Sequence, residues 1–124
     1  MSIHRDILLV EDEAAIAEML RRVLIRAGYT VRVAMDGIQA LTALRKEQPA
    51  VLILDLILPG MNGYAILEHL HDHQITMPIV VITANPLYHV SLHHAGIRHV
   101  LIKPFRLEEL LNALDAILGF SASA

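Results

Sequence analysis

The chain has 124 residues, a hydrophobic fraction of 55%, a charged fraction of 19% and a net charge of −3 with histidine neutral. This length is enough for one domain with a real core and too short for a second, and the composition is not that of a disordered chain. The acidic balance offers no basic field to nucleic acid, and the lack of cysteine excludes disulfides and thiolate zinc sites and accords with a reducing compartment.

His4, Arg5 and Asp6 lead into only four apolar residues, Ile7 to Val10, before Glu11. That is too few for a signal-peptide core, and no apolar run approaches the roughly eighteen residues of a membrane span. The expectation is a soluble, cytoplasmic chain with no membrane partner. Ile7 to Val10 predicts the first strand. After it, Ile16, Met19, Leu20, Val23, Leu24 and Ala27 trace one helical face, followed by Gly28 where a helix C-terminal glycine belongs.

Val31 to Ala34 predicts a second strand, and Asp36 caps a second helix through Leu41 and Leu44 to Lys46, which Pro49 prevents from running on. Val51 to Leu54 is the third strand. Asn62 caps a third helix from Gly63 to about His71, ahead of a fourth strand at Ile79 to Ile82. Between Thr83 and Gly96, Pro86 is tolerable at a first helical turn and leaves room for a short helix from about Leu87 to His94, and Val100 to Ile102 is the fifth strand. Leu107, Leu110, Leu111, Leu114, Ile117 and Leu118 mark the last helix, with Glu108 and Glu109 at its positive end and Gly119 closing it. Apolar strands alternating with helices specify an α/β fold, a single doubly wound parallel sheet covered on both faces.

Ligands of such sheets bind beyond the carboxyl ends of the strands. Those ends carry Glu11 and Asp12, Asp55, Thr83 and Lys103, whereas the second strand ends in Ala34 and Met35, as an outer strand would. Three carboxylates brought together repel one another, and a divalent cation resolves the conflict. Magnesium suits the site, because it takes one or two carboxylates, keeps waters and accepts a phosphate oxygen. With phosphoryl charge neutralised, a carboxylate can act as nucleophile and form an acyl phosphate, and the Lys103 ammonium and Thr83 hydroxyl match the donors that chemistry needs.

Glu11-Asp12, the run Leu54-Asp55-Leu56-Ile57-Leu58-Pro59-Gly60-Met61-Asn62-Gly63, Thr83-Ala84 and Lys103-Pro104-Phe105 together resemble the receiver domain of response regulators. The resemblance covers nearly the whole chain, with residues 1–120 as the receiver domain and 121–124 as a tail or the start of a linker. It implies the strand order 2-1-3-4-5. It also implies phosphorylation of Asp55 by a histidine kinase or histidine phosphotransfer protein, and Mg2+ ligation by Asp12, Asp55 and the backbone carbonyl of Ile57. Glu11 would act through metal-bound water, Thr83 and Lys103 would contact the phosphoryl group, and the bond before Pro104 would be cis. The partner on the output side would be a downstream protein or a covalently linked output domain.

Two features depart from the family pattern. Val100 stands where receivers of this type usually carry Tyr or Phe, and valine has no ring to swing. The interval from Thr83 to Gly96 is about two residues short of familiar members, so the fourth helix of the pattern should be shortened.

Three other functions fit the sequence less well. A binding-only pseudo-receiver runs against the complete acidic pair Glu11-Asp12 with Asp55, Thr83 and Lys103, while Val100 and the short fourth helix point to some divergence. A magnesium phosphatase with an aspartate nucleophile commonly needs a second acid two residues on, where this chain has Ile57, so the chain is not expected to be an enzyme beyond chemistry on its own aspartate. A nucleotide-binding domain lacks its glycine-rich loop after the first strand. The leucine stripe of the last helix is core first, with homodimerisation left open. Among eight histidines, His69 and His73 at i, i+4 could clamp a metal, but the favoured reading is histidine at the negative end of a helix.

Overall fold

A computed structural model describes residues 5–84 and 96–119. In chain order the elements are β1 (Asp6–Val10), α1 (Ala14–Arg26), β2 (Thr30–Ala34), α2 (Gly37–Lys46), β3 (Val51–Asp55), α3 (Gly63–Asp72), β4 (Ile79–Thr83), β5 (Ile97–Ile102) and α4 (Leu107–Leu118). The five strands form one sheet in the order β2-β1-β3-β4-β5, every neighbouring pair parallel. This is the expected doubly wound architecture. The expected short helix at Leu87 to His94 lies outside the described residues.

Successive strand residues point to opposite faces, so the apolar runs build two cores. Leu8, Val10, Leu52, Leu54, Ile79 and Val81 pack toward Ala40 and Leu41 of α2 and Ile66, Leu67 and Leu70 of α3. Ile7, Leu9, Val51, Ile53, Val80 and Ile82 pack toward Leu20 and Leu24 of α1 and Leu110 and Leu114 of α4. All residues of β3 and β4 are buried, as central strands of a two-sided sheet must be.

Local signals set several helix ends. The Asp36 carboxylate accepts from the Gln39 N–H at 2.8 Å and the Asn62 side-chain oxygen from the Ala65 N–H at 3.0 Å, each satisfying an otherwise unpaired donor of a first turn. Gly119 ends α4 in the left-handed conformation, with φ 65°. The largest departure from the expected boundaries is in β5, which begins at Ile97 and not at Val100, whereas β1 and β2 each start one residue early and β3 and β4 each end one residue late. A register shift against β4 between Ile79 and Val80 leaves Arg98 and His99 both exposed, so the start of this edge strand breaks the apolar run that marks the others.

Candidate functional site

The register of the sheet delivers the expected residues to one edge. Asp55 is the last residue of β3 and pairs with Ile82, one step before Thr83, and Thr83 closes β4 opposite Ile102. Lys103 follows β5 directly, and its N–H donates to the Thr83 carbonyl at 2.8 Å. Glu11 follows β1 and its N–H donates to the Ala34 carbonyl at 3.1 Å. Glu11, Asp55 and Thr83 are the buried polar residues among those described, at 0%, 4% and 0% exposure, whereas Asp12 is exposed.

Carboxylate oxygens of Glu11, Asp12 and Asp55 lie within 4.8 Å of one another. Lys103 holds two of these groups: its Nζ is 2.8 Å from Asp55 Oδ2 and 3.2 Å from Glu11 Oε2. The other oxygen of Asp55, Oδ1, accepts from the Ile57 N–H at 2.9 Å. The Asp55 carboxylate is thereby oriented from both sides, by a side-chain cation and by a backbone amide.

Burial, and after it the charge of Asp55, pushes the Glu11 carboxyl above its ordinary range, against the opposing pull of Lys103. Burial works to lower the Lys103 ammonium, but the hydrogen bond and charge of Asp55, followed by those of Glu11, carry it above its ordinary value. Lys103 is therefore charged at neutral pH. One ammonium faces three carboxylates, and the cluster keeps a negative excess that a hard divalent cation with oxygen ligands fits.

Two glycines let the backbone close around this edge. A Cβ on Gly63 would sit 2.6 Å from Leu56 Cα and 2.9 Å from the Asp55 carbonyl oxygen, so only glycine brings the start of α3 against the end of β3. A Cβ on Gly37 would sit 2.6 Å from Met61 Cβ, so α2 and the loop after Asp55 also touch by virtue of a missing side chain.

The structure thus brings together Glu11, Asp12, Asp55 and Lys103 and sets Thr83 beside them. Ile57 enters the site through its backbone N–H, and the residue is 52% exposed. The Lys103–Pro104 bond is cis. Val100 is half-buried against the core on the α2 and α3 side of the sheet. The second bond of Lys103, to Glu11, has no signature in the sequence, because only the folded edge creates it. An apolar groove of about 490 Å³ adjoins the site, lined by Ile16, Met19, Leu20, Pro104, Phe105 and Leu107 together with Lys103, and it likewise has no signature in the sequence.

Comparison with known proteins agrees with this geometry. The profile of the response regulator receiver domain matches residues 7–115. The response regulator MprA of Mycobacterium ulcerans is 40% identical over 114 residues, covering 90% of this chain and 49% of MprA, so the chain spans about half the length of that relative. Among solved structures, the response regulator TrrA of Thermotoga maritima in complex with Mg2+-BeF superimposes with a TM-score of 0.83 at 27% identity, over 92% of this chain and 99% of that one. The chemotaxis response regulator CheY4 of Vibrio cholerae gives 0.81 at 31% identity, over 91% and 98%. By its sequence and its fold alike, the chain belongs to the response regulator receiver domain family.

Proposed function

We propose that this receiver domain accepts a phosphoryl group on Asp55 in a Mg2+-dependent reaction, from a phosphohistidine of a histidine kinase or phosphotransfer protein. The observation that carries this reading is the posture of Asp55, a nearly buried carboxylate held by Lys103 on one oxygen and by the Ile57 amide on the other.

Asp12 and Asp55, with the Ile57 carbonyl, would hold the Mg2+, and Glu11 would act through its water shell. The ion, when bound, would offset the charge of the carboxylates and of the incoming phosphoryl oxygens. In the transfer, an Asp55 oxygen forms a bond to phosphorus as the bond from phosphorus to the donor imidazole nitrogen breaks. That nitrogen keeps the electron pair and returns to neutral imidazole. Lys103 then moves from pairing with a carboxylate to pairing with a phosphoryl oxygen, and the Thr83 hydroxyl supplies a further donor. Little else is needed, because positioning and charge dominate phosphoryl transfer.

The groove between α1 and the Lys103–Leu107 segment adjoins the site through Lys103, and its apolar lining offers a donor protein contact area there. Phosphorylation would shift the domain between two conformations and change its affinity for an output partner. With Val100 in place of an aromatic ring, that shift runs without a ring rotation at this position.

Intact-mass measurement after incubation with Mg2+ and acetyl phosphate tests the reading. One added phosphoryl group is expected on the native chain, and none on Asp55→Asn or in excess EDTA. No addition to the native chain, or equal addition to Asp55→Asn, would overturn it.

A further inference from the structure

His69 and His73 stand one helical turn apart at the end of α3, the helix that leads from the site edge after β3 back toward the start of β4. Their rings are stacked, with centroids 4.1 Å apart and planes inclined by 29°. His73 Nδ1 lies 2.9 Å from the carbonyl oxygen of His69. A carbonyl only accepts, so Nδ1 carries the proton of the neutral ring, and the lone pair is left on Nε2. Donation from one ring nitrogen to a backbone carbonyl is the arrangement that orients metal-bound histidines and fixes which nitrogen binds.

We propose that His69 and His73 form a two-imidazole site for a borderline divalent transition ion, of the Zn2+, Ni2+ and Cu2+ class, separate from the oxygen cluster at Asp55. Imidazole nitrogens favour this class over Mg2+, which selects oxygen. The i, i+4 spacing places both rings on one helix face, the ring of His73 is already held, and the ring of His69 lies beside it. His71, about 200° around the helix from His69, faces elsewhere. Water completes the shell, because no third His, Cys, Asp or Glu among the described residues gathers with these two into a ligand cluster. The positive charge of Arg45 is close enough to act on His69 and opposes the cation, whereas Asp72 favours it. Because His73 is the residue that follows the helix, a bound ion would brace the last turn of α3 where the chain leaves it for β4.

The test is calorimetric titration of NiCl2 into the full chain in buffer containing excess Mg2+. Saturable binding is expected, weakened about tenfold or more by His69→Ala and by His73→Ala, since even outer-shell changes at metal sites cost about ten- to a hundredfold. His71→Ala and Asp55→Asn should leave it unchanged. His69→Ala keeps the His73 contact with the residue 69 carbonyl available, so circular dichroism and a melting curve on that variant separate lost binding from lost structure. No binding by the native chain would overturn the proposal. So would binding that survives either alanine variant, or binding lost instead in His93→Ala or His94→Ala.

Discussion

Lys103 Nζ lies 2.8 Å from Asp55 Oδ2, joining residues 48 positions apart at the ends of β3 and β5. The same ammonium is 3.2 Å from the fully buried Glu11 carboxylate. Without bound cation, Lys103 is the internal counterion of the cluster, which links the phosphoryl site to the stability of the domain.

Lys103→Met should therefore destabilise the domain in metal-free buffer by about 1–3 kcal/mol, as two buried carboxylates lose their partner while the site stays partly open to water. Added Mg2+ should recover part of the loss. Urea unfolding of both proteins, with EDTA and with Mg2+, measures the two effects. A variant as stable as the native chain in EDTA would show that solvent, and not Lys103, balances the cluster.

Gly63→Ala should cost about 1–3 kcal/mol and displace the Asp55 backbone, because the added methyl meets backbone atoms of Leu56 and Asp55 that cannot rotate away. Gly60→Ala is the control. It sits in open space at φ +75°, so its cost is conformational strain of about 1–2 kcal/mol with no collision at the site. Both should lower the urea midpoint, but only Gly63→Ala should slow phosphorylation by acetyl phosphate.

These contacts mark the boundary of what the sequence reveals. The strands β1, β3 and β4 are legible because burial on both faces demands unbroken apolar runs, and Asp36 and Asn62 are legible because capping is a local interaction. Arg98 and His99 conceal the start of β5, since an edge strand with a shifted register has no such demand. Met19 reads as core by helical spacing yet is 47% exposed and lines the groove, whose facing residues Phe105 and Leu107 come from a segment far along the chain that helical spacing cannot reveal. The strand-end rule finds the members of the site. The Lys103–Glu11 bond, across 92 positions, depends on how the sheet twists those ends together.

Glu18 should stay ionised well into acid. Hydrogen bonds from Arg21 and then Arg22, at 2.8 Å and 3.0 Å, lower its carboxyl from 4.5 to about 2. The folded value lies below the unfolded one, so the stabilisation is complete above pH 4.5 and fades as pH falls toward 2. The pair is exposed, and its effect on stability is small. Carbon-13 shifts of the glutamate carboxyls between pH 5 and pH 3 should show Glu18 unchanged while an ordinary glutamate titrates. A Glu18 resonance moving with a midpoint near 4.5 would mean that the arginines do not hold it in solution.

Ile57 should behave oppositely under two substitutions, because the site uses its backbone and leaves its side chain in solvent. Ile57→Ala removes an exposed side chain and should change stability by less than about 0.5 kcal/mol, with phosphorylation of Asp55 intact. Ile57→Pro removes the N–H that donates to Asp55 Oδ1 at 2.9 Å, leaving a buried carboxylate oxygen without its backbone donor. A loss of about 1–3 kcal/mol is expected from the unpaired group, together with slower phosphoryl uptake as the carboxylate loses one of its two restraints. Rates of mass gain with acetyl phosphate and urea midpoints for both variants decide the matter. If Ile57→Ala slows uptake as much as Ile57→Pro, the exposed side chain itself takes part, and the backbone account of this position fails.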